Sequence, residues 1–266
     1  KHLLSAMIDA YAGRLPDPVL NFGGRPMNAF SLALTATCFT FLCTAAGAAF
    51  VFVVGHSRKK TVVQVSLGFA AGIMLAASVF GLLIPSIDGA RAAGGGLVPP
   101  AGGFVLGVLL LMLMNRLVPH LHTDADEPEG VRSGLGRQSL LFLAITIHNV
   151  PEGMALGVLA AAAGGSVPEG MGALLALAIG IGIQNIPEGT AVSVPLFAAG
   201  GTRKKSFLLG VLSGAVEPAG ALLVVCFQDF VVALLPWFLS FSAGAMLYVV
   251  VEELIPESHA MAGGES

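Results

Sequence analysis

The sequence predicts an all-α polytopic membrane protein with seven transmembrane helices and its N-terminus outside the cytoplasm. Hydrophobic residues make up 55% of the 266 residues and charged residues only 11%, whereas soluble domains carry roughly 25% charged residues. Seven apolar runs are long enough to cross the hydrocarbon core of a bilayer, which takes about 20 helical residues. The basic residues are concentrated in alternate loops, and this asymmetry gives the orientation.

The chain divides into a polar lead-in at 1–26, a membrane domain at 27–260 and a short tail at 261–266. The lead-in is expected outside the membrane, because it lacks the long apolar run of a signal peptide. Pro85 is predicted to end the second span, and the run EELIPE at 252–257 is predicted to close the seventh. The predicted spans are 27–54, 62–84, 102–118, 138–163, 171–200, 207–227 and 230–251.

Nine of the 13 lysines and arginines lie in or beside the loops 55–61, 119–137 and 200–206. Positive charge marks the cytoplasmic side of a membrane protein. The end of the seventh span is therefore predicted inside. The cytoplasmic loop 119–137 also carries His120 and His122 with four acidic residues. This pair is consistent with either two solvated histidines or a weak, transient metal site.

One phrase occurs twice, as HNVPEG at 148–153 and QNIPEG at 184–189, near the middle of the fourth and fifth spans. A carboxylate at membrane depth is costly, so it is a functional candidate. On a helix, residues three and four apart share a face. Each glutamate therefore lies beside two further polar side chains: Glu152 beside His148 and Asn149, and Glu188 beside Gln184 and Asn185.

The prolines of the two phrases add free backbone oxygens. Pro151 leaves the carbonyl of Ile147 without its helical partner, and Pro187 does the same for Ile183. The loop 164–170 between the two spans is short, so the spans run antiparallel. One motif at equal depth in two antiparallel helices predicts inverted symmetry with a site at the bilayer midplane, which is typical of transporters.

Two further residues with relevant chemistry lie in other spans. Glu217, followed by Pro218, is a third carboxylate predicted in the middle of the membrane. Met74 lies in the second span, where the residues alone favour ordinary core packing, because Met fills gaps between helices.

Imidazole nitrogen, carboxylate and amide oxygen form a mixed ligand set that suits divalent metals, with Zn²⁺ first and Cd²⁺, Fe²⁺, Mn²⁺ and Co²⁺ as further candidates. A membrane metalloprotease would need HExxH, which the chain lacks around the phrases. A proton-coupled carrier of a small solute would explain the carboxylates but not the clustering of His, Asn and Glu. A metal exporter would use the same ligands, and these residues do not set the direction.

The chain resembles the ZIP family of divalent metal transporters over about 27–260, and its bacterial and GufA-like branch in particular. The residues that carry the resemblance are HNVPEG, IGIQNIPEG at 181–189, Glu217-Pro218, and AGAM at 243–246 ahead of Glu252-Glu253. The resemblance implies eight helices in a 3+2+3 arrangement with an inverted repeat. It also implies transport of metal toward the cytoplasm through a binuclear midmembrane site.

The resemblance further implies the ligands of that site. Gln184-Asn185 departs from the family pattern, in which many members carry HN or QD at these two positions. The neutral Asn185 removes one charge and weakens the second metal position. The chain also ends at Ser266 before an eighth span. His120 and His122 would receive the ion on exit. One position would use His148, Glu152, Gln184, Glu188 and Met74, and the other Asn149, Asn185 and Glu217, with Glu152 and Glu188 bridging.

The sequence thus predicts a transporter rather than an enzyme, which moves zinc into the cytoplasm as a multi-pass protein of the cell membrane, the bacterial inner membrane in particular. The alternative is a proton-coupled carrier whose buried carboxylates relay protons. The expected partners are divalent metal ions and the lipid bilayer, without nucleic acid, and a homodimer is left open.

Overall fold

A computed structural model describes residues 21–22, 25–26, 28–54, 59–119, 134–135, 137–164 and 170–262. In this part of the chain, a two-residue antiparallel pair joins β1 (Asn21–Phe22) to β2 (Arg25–Pro26), and the other regular elements are helical. The α-helices are α1 (Ala29–Ala48), α2 (Lys59–Ala76), α3 (Ile84–Ala92), α4 (Val98–Leu117), α5 (Arg137–Gly164), α6 (Gly170–Ala198), α7 (Arg203–Ser213), α8 (Val216–Val225), α9 (Gln228–Ala233), α10 (Leu235–Val249) and α11 (Ile255–Ala262).

The described helices include six stretches that are long and apolar enough to cross a bilayer, and this confirms the predicted helical membrane class. Helix α5, which carries the first phrase, is not among these six, but its 28 residues exceed the length that a span needs. The six stretches are Ala29–Phe52, Thr61–Ala92, Val98–Leu117, Gly170–Ala198, Arg203–Val225 and Leu235–Ala260.

The second span does not end at Pro85, and this prediction was wrong. Helix α2 passes into a π-helical segment, Ala77–Leu83, and continues as α3 to Ala92. In the wider π turn the N–H of Ile84 bonds to the carbonyl of Val79, five residues back. Because Pro85 has no N–H to donate, the change of hydrogen-bond spacing just before it lets the chain remain helical.

The last described helix shows the same feature, so EELIPE does not close the seventh span. Helix α10 passes through a second π segment, Val250–Leu254, and continues as α11. Here the N–H of Ile255 bonds to the carbonyl of Val250, ahead of Pro256. Both π segments end at a leucine that is followed by Ile-Pro, at 83–85 and 254–256. The acidic pair of this run therefore lies within a continuous helix.

The glycine that ends each repeated phrase allows a neighbouring helix to approach closely. A Cβ on Gly153 of α5 would collide with the backbone of Glu217 in α8, and a Cβ on Gly189 of α6 would collide with the backbone of Thr44 in α1. Small residues at such positions let helices pack closely in lipid. The pairs α1–α6 and α5–α8 are accordingly in extensive contact, and they bring the polar residues of four helices together.

Candidate metal centre

The first phrase faces the interior of the helix assembly. Glu152 is fully buried, and His148 and Asn149, one turn earlier on α5, are also buried. The amide of Asn149 donates a hydrogen bond of 3.1 Å to the carbonyl of Ser213 at the end of α7. The predicted arrangement of the three side chains on one helix face is therefore observed.

The second phrase meets the first across the α5–α6 contact. Gln184 is fully buried, and its Nε2 donates a hydrogen bond of 2.5 Å to Oε1 of Glu152. Glu188, one turn further along α6, is also buried. Two packed, adjacent spans thus each bury a carboxylate of the repeated phrase.

Several buried oxygens of these residues accept no hydrogen bond from the described part of the chain. They belong to two carboxyl groups and three side-chain amides, and the amide oxygens, like the oxygens of an ionised carboxylate, can only accept. Leaving buried acceptors unpaired is costly, and a cation satisfies several of them at once. The five atoms are Oε2 of Glu152, Oε1 of Glu188, Oε1 of Gln184, and Oδ1 of Asn149 and Asn185.

Glu217 differs from the other two buried glutamates, because protein donors meet both of its oxygens. Its Oε1 accepts from Nδ2 of Asn185 at 2.8 Å and from the hydroxyl of Thr44 at 3.4 Å. Its Oε2 accepts from the hydroxyl of Thr40. The structure thus brings Glu217 together with Asn185, as predicted. It also adds two threonines of α1 that the sequence did not single out.

Glu253 was named in the sequence analysis but was not among the predicted ligands. It is only 2% exposed, and its carboxylate contacts Nε2 of His148. Nδ2 of Asn115, at the end of α4, donates a hydrogen bond of 2.8 Å to it. Glu253 lies one turn after the buried Val249, whereas its neighbour Glu252 is exposed. Helical spacing was the available signal, but it applies only because the helix continues past Pro256, which the sequence did not show.

The remaining predicted ligands are placed as follows. Met74 is buried in the apolar core, and its carbonyl accepts a hydrogen bond of 2.7 Å from Ser78. Its role as a ligand stays a prediction. His120 and His122 lie outside the described residues.

A small cavity borders the cluster on the side of α11. Glu188, His148 and Asn149 line it together with Glu257, and apolar side chains of α2, α6 and the second π segment complete its wall. The space free for a water-sized particle is about 20 Å³, which is roughly enough for a single water molecule. Among the described residues, no three His, Cys, Asp or Glu side chains converge closely enough to hold a metal by themselves. Amide oxygens or a side-chain movement would have to complete an ion site here.

Comparison with known proteins identifies the family. The model of the ZIP zinc transporter family matches residues 122–264, more than half of the chain. The chain belongs to the ZIP family. Zinc transporter GufA of Myxococcus xanthus is 39% identical over 231 residues, which cover 85% of this chain and 88% of that protein.

Two further ZIP relatives show the same breadth of similarity. Zinc transporter ZIP11 of Homo sapiens is 35% identical, covering 88% of this chain and 91% of the relative. Zinc transporter ZupT of Chlorobium luteolum is 36% identical, covering 87% and 90%. The predicted ZIP membership, including the likeness to GufA, is confirmed. With it, the predictions of a multi-pass cell-membrane protein and of a transporter rather than an enzyme are confirmed.

Proposed function

We propose that this ZIP protein carries divalent metal ions, zinc in particular, across the membrane into the cytoplasm through the cluster on α5 and α6. The observation that carries the proposal is the set of five buried, unpaired oxygens, of which two belong to carboxylates. A set that contains only acceptors is suited to a cation, and its oxygens suit a divalent metal. The relatives named above are zinc transporters by name.

In this proposal Glu152 and Glu188 provide the charge that draws the ion into the membrane. Before the ion arrives, Gln184 donates a hydrogen bond to Glu152, and the imidazole of His148 contacts Glu253. An entering ion would replace the hydrogen bond between Gln184 and Glu152. Its ligands would then be the oxygens now unpaired, together with the imidazole nitrogen.

The arrangement of charge gives the orientation of the protein, and the resemblance to the ZIP family implies the inward direction of transport. The loops rich in lysine and arginine mark the cytoplasmic side, and the end of the last described span lies on that side. The cavity beside the cluster extends from Glu188 and His148 to Glu257 at this end. An ion that leaves the cluster toward the cytoplasm would therefore pass a further acidic residue. His120 and His122 would receive the ion there.

Several finer points belong to the same proposal. Cadmium, iron(II), manganese(II) and cobalt(II) are further candidate ions, because the ligand set does not exclude them. Met74 remains a candidate ligand from α2, and a homodimer remains a candidate assembly. The alternative, a proton-coupled carrier of an organic solute, has no support from the relatives, which are named as zinc transporters.

Zinc uptake into proteoliposomes tests the proposal. The wild-type protein is expected to take up zinc, and Glu152→Ala or Glu188→Ala is expected to reduce uptake nearly to that of empty liposomes. Glu252→Ala is the matched control, because Glu252 is an exposed glutamate and should leave uptake unchanged. Wild-type uptake in either folded Glu152 or Glu188 variant would contradict the proposed site.

A further inference from the structure

The polar residues of the centre fall into two groups that differ in their hydrogen bonding. Glu152 and Glu188 each keep a buried oxygen that no described residue donates to. Glu217 is equally buried, but three side chains donate to it, from Thr40, Thr44 and Asn185. An ionised carboxylate only accepts hydrogen bonds, so three donors match it well. Glu152 and Glu188 therefore keep oxygens that can bind an ion, whereas protein donors already occupy the oxygens of Glu217.

The spacing of the two threonines on α1 allows both hydroxyls to reach the Glu217 carboxylate. Thr40 and Thr44 are four residues apart, so they share one helix face, and both are buried. The close approach of Gly189 to the backbone of Thr44 fixes α1 against α6. The amide of Asn185 also donates to the carbonyl of Thr40 at 3.2 Å. Helix α1 therefore holds Glu217 of α8 and Asn185 of α6 in a single cluster.

A third threonine on the same helix shows that burial alone does not explain these contacts. Thr37 lies one turn before Thr40 and is fully buried. Its hydroxyl donates to carbonyls of its own helix, those of Ala33 at 2.7 Å and Leu34 at 3.4 Å. This is the usual way in which a helix accommodates a buried threonine. Thr40 and Thr44 also reach carbonyls of their own helix, those of Thr37 and Thr40, both at 3.2 Å. Unlike Thr37, however, each of them also lies within hydrogen-bond distance of the Glu217 carboxylate on another helix.

We propose that Thr40 and Thr44 are positioning residues that hold the Glu217 carboxylate as a fixed anion behind the ion, so that the centre takes one ion at a time. The inference rests on the proposed function, because it concerns zinc at the same centre. In the family pattern Glu217 would be a ligand of a second metal. Here the neutral Asn185 and the two hydroxyls occupy its oxygens, and Glu217 acts on the single ion through its charge and through Asn185.

The test compares valine and serine substitutions at the two positions. Valine keeps the shape of threonine and removes the hydroxyl, whereas serine keeps the hydroxyl. Thr40→Val with Thr44→Val is expected to raise the KM for zinc uptake about tenfold, the order expected for lost hydrogen bonds to a charged group, with little change in the maximal rate. Thr40→Ser with Thr44→Ser is expected to retain the wild-type KM. Thr37→Val is the matched control and should behave as wild type.

A double-mutant cycle identifies the partner through which the threonines act. In a Glu217→Gln background the two valines are expected to raise the KM no further, because the carboxylate that they position is gone. Each single valine variant is measured as well, since removal of both hydroxyls can impair folding, and a smaller rise in KM is expected for each. A KM in these variants equal to that of Thr37→Val, or an unchanged tenfold effect in the Glu217→Gln background, would overturn the inference.

Zinc content separates this inference from the proposed function. Purified wild-type protein is expected to bind about one zinc per chain in equilibrium dialysis against zinc. Two tightly bound zinc ions, one of them lost in Glu217→Gln, would overturn the inference and leave the transport proposal standing. Absence of both binding and uptake in the wild-type protein would instead contradict the proposed function itself.

Discussion

At the scale of single residues, the spacing of residues along one helix could be predicted from the sequence, whereas the contacts between helices could not. The i, i+3 and i, i+4 positions correctly grouped Glu152 with His148 and Asn149. Thr40 escaped notice because a threonine in an apolar run normally bonds to its own helix. Its partner, Glu217, is 177 residues away in the chain, and no local pattern shows which helices meet.

Substitution of Glu253 should impair transport although this residue was not among the predicted ligands. Glu253→Gln removes the charge that faces His148 and is expected to reduce zinc uptake about tenfold, the order of one lost charged contact. Uptake in proteoliposomes measures the effect. Glu252→Gln, the exposed neighbouring glutamate, should keep wild-type uptake, and equal effects of the two substitutions would show that Glu253 has no special role.

Substitution of Glu217 should be less severe than substitution of Glu152 or Glu188. Glu217→Gln keeps a side chain that can still accept from the threonines, but it removes a negative charge close to the ion. We expect zinc uptake to fall while about one zinc remains bound, as measured by zinc content after dialysis. Complete loss of bound zinc in a folded Glu217→Gln protein would contradict this expectation.

At the scale of helices, the existence of the spans was predictable, but some of their ends were not. Apolar runs of about 20 residues follow from the thickness of the bilayer. Pro85 and Pro256 looked like helix ends because proline usually interrupts backbone bonding. The π segments before them, Ala77–Leu83 and Val250–Leu254, change the bonding pattern and let both helices continue. No periodicity in the sequence predicted these π segments.

Close helix contact at Gly189 should be essential to stability. Gly189→Ala places a Cβ against the backbone of Thr44 and is expected to destabilise the protein by about 1–3 kcal/mol, the usual cost of overpacking. Gly172→Ala is the control on the same helix, since nothing lies within 4 Å of a Cβ there. Thermal unfolding in detergent should show a lower Tm for Gly189→Ala alone, and equal Tm values would contradict the close contact.

At the scale of the whole molecule, composition and loop charge predicted a multi-pass membrane protein with a defined orientation. The sequence did not predict which helices distant in the chain pack against each other. For example, α10 packs along α4, and this contact brings Asn115 to Glu253. Such pairings depend on three-dimensional shape rather than on any local pattern. The two repeated phrases nevertheless meet between the fourth and fifth spans, as the sequence indicated.

The orientation can be tested by labelling single cysteines in intact cells. In a protein with its three native cysteines replaced, Lys204→Cys should react with an impermeant thiol reagent only after the cells are opened. Arg91→Cys, on the opposite side, should react from outside. Both native side chains are exposed, so access depends only on the side of the membrane. The reverse pattern would contradict the predicted orientation.

Zinc titration by calorimetry at several pH values tests the central claim most directly. A metal binds ligands that have released their protons, so zinc and protons compete for His148, Glu152 and Glu188, and affinity must fall as the pH falls. We expect zinc to bind purified wild-type protein at about pH 7 and markedly more weakly at about pH 5, across the range in which imidazole takes up a proton. His148→Ala should weaken binding at pH 7 and flatten part of this dependence. Absence of zinc binding, or an affinity independent of pH with His148 intact, would contradict the metal centre.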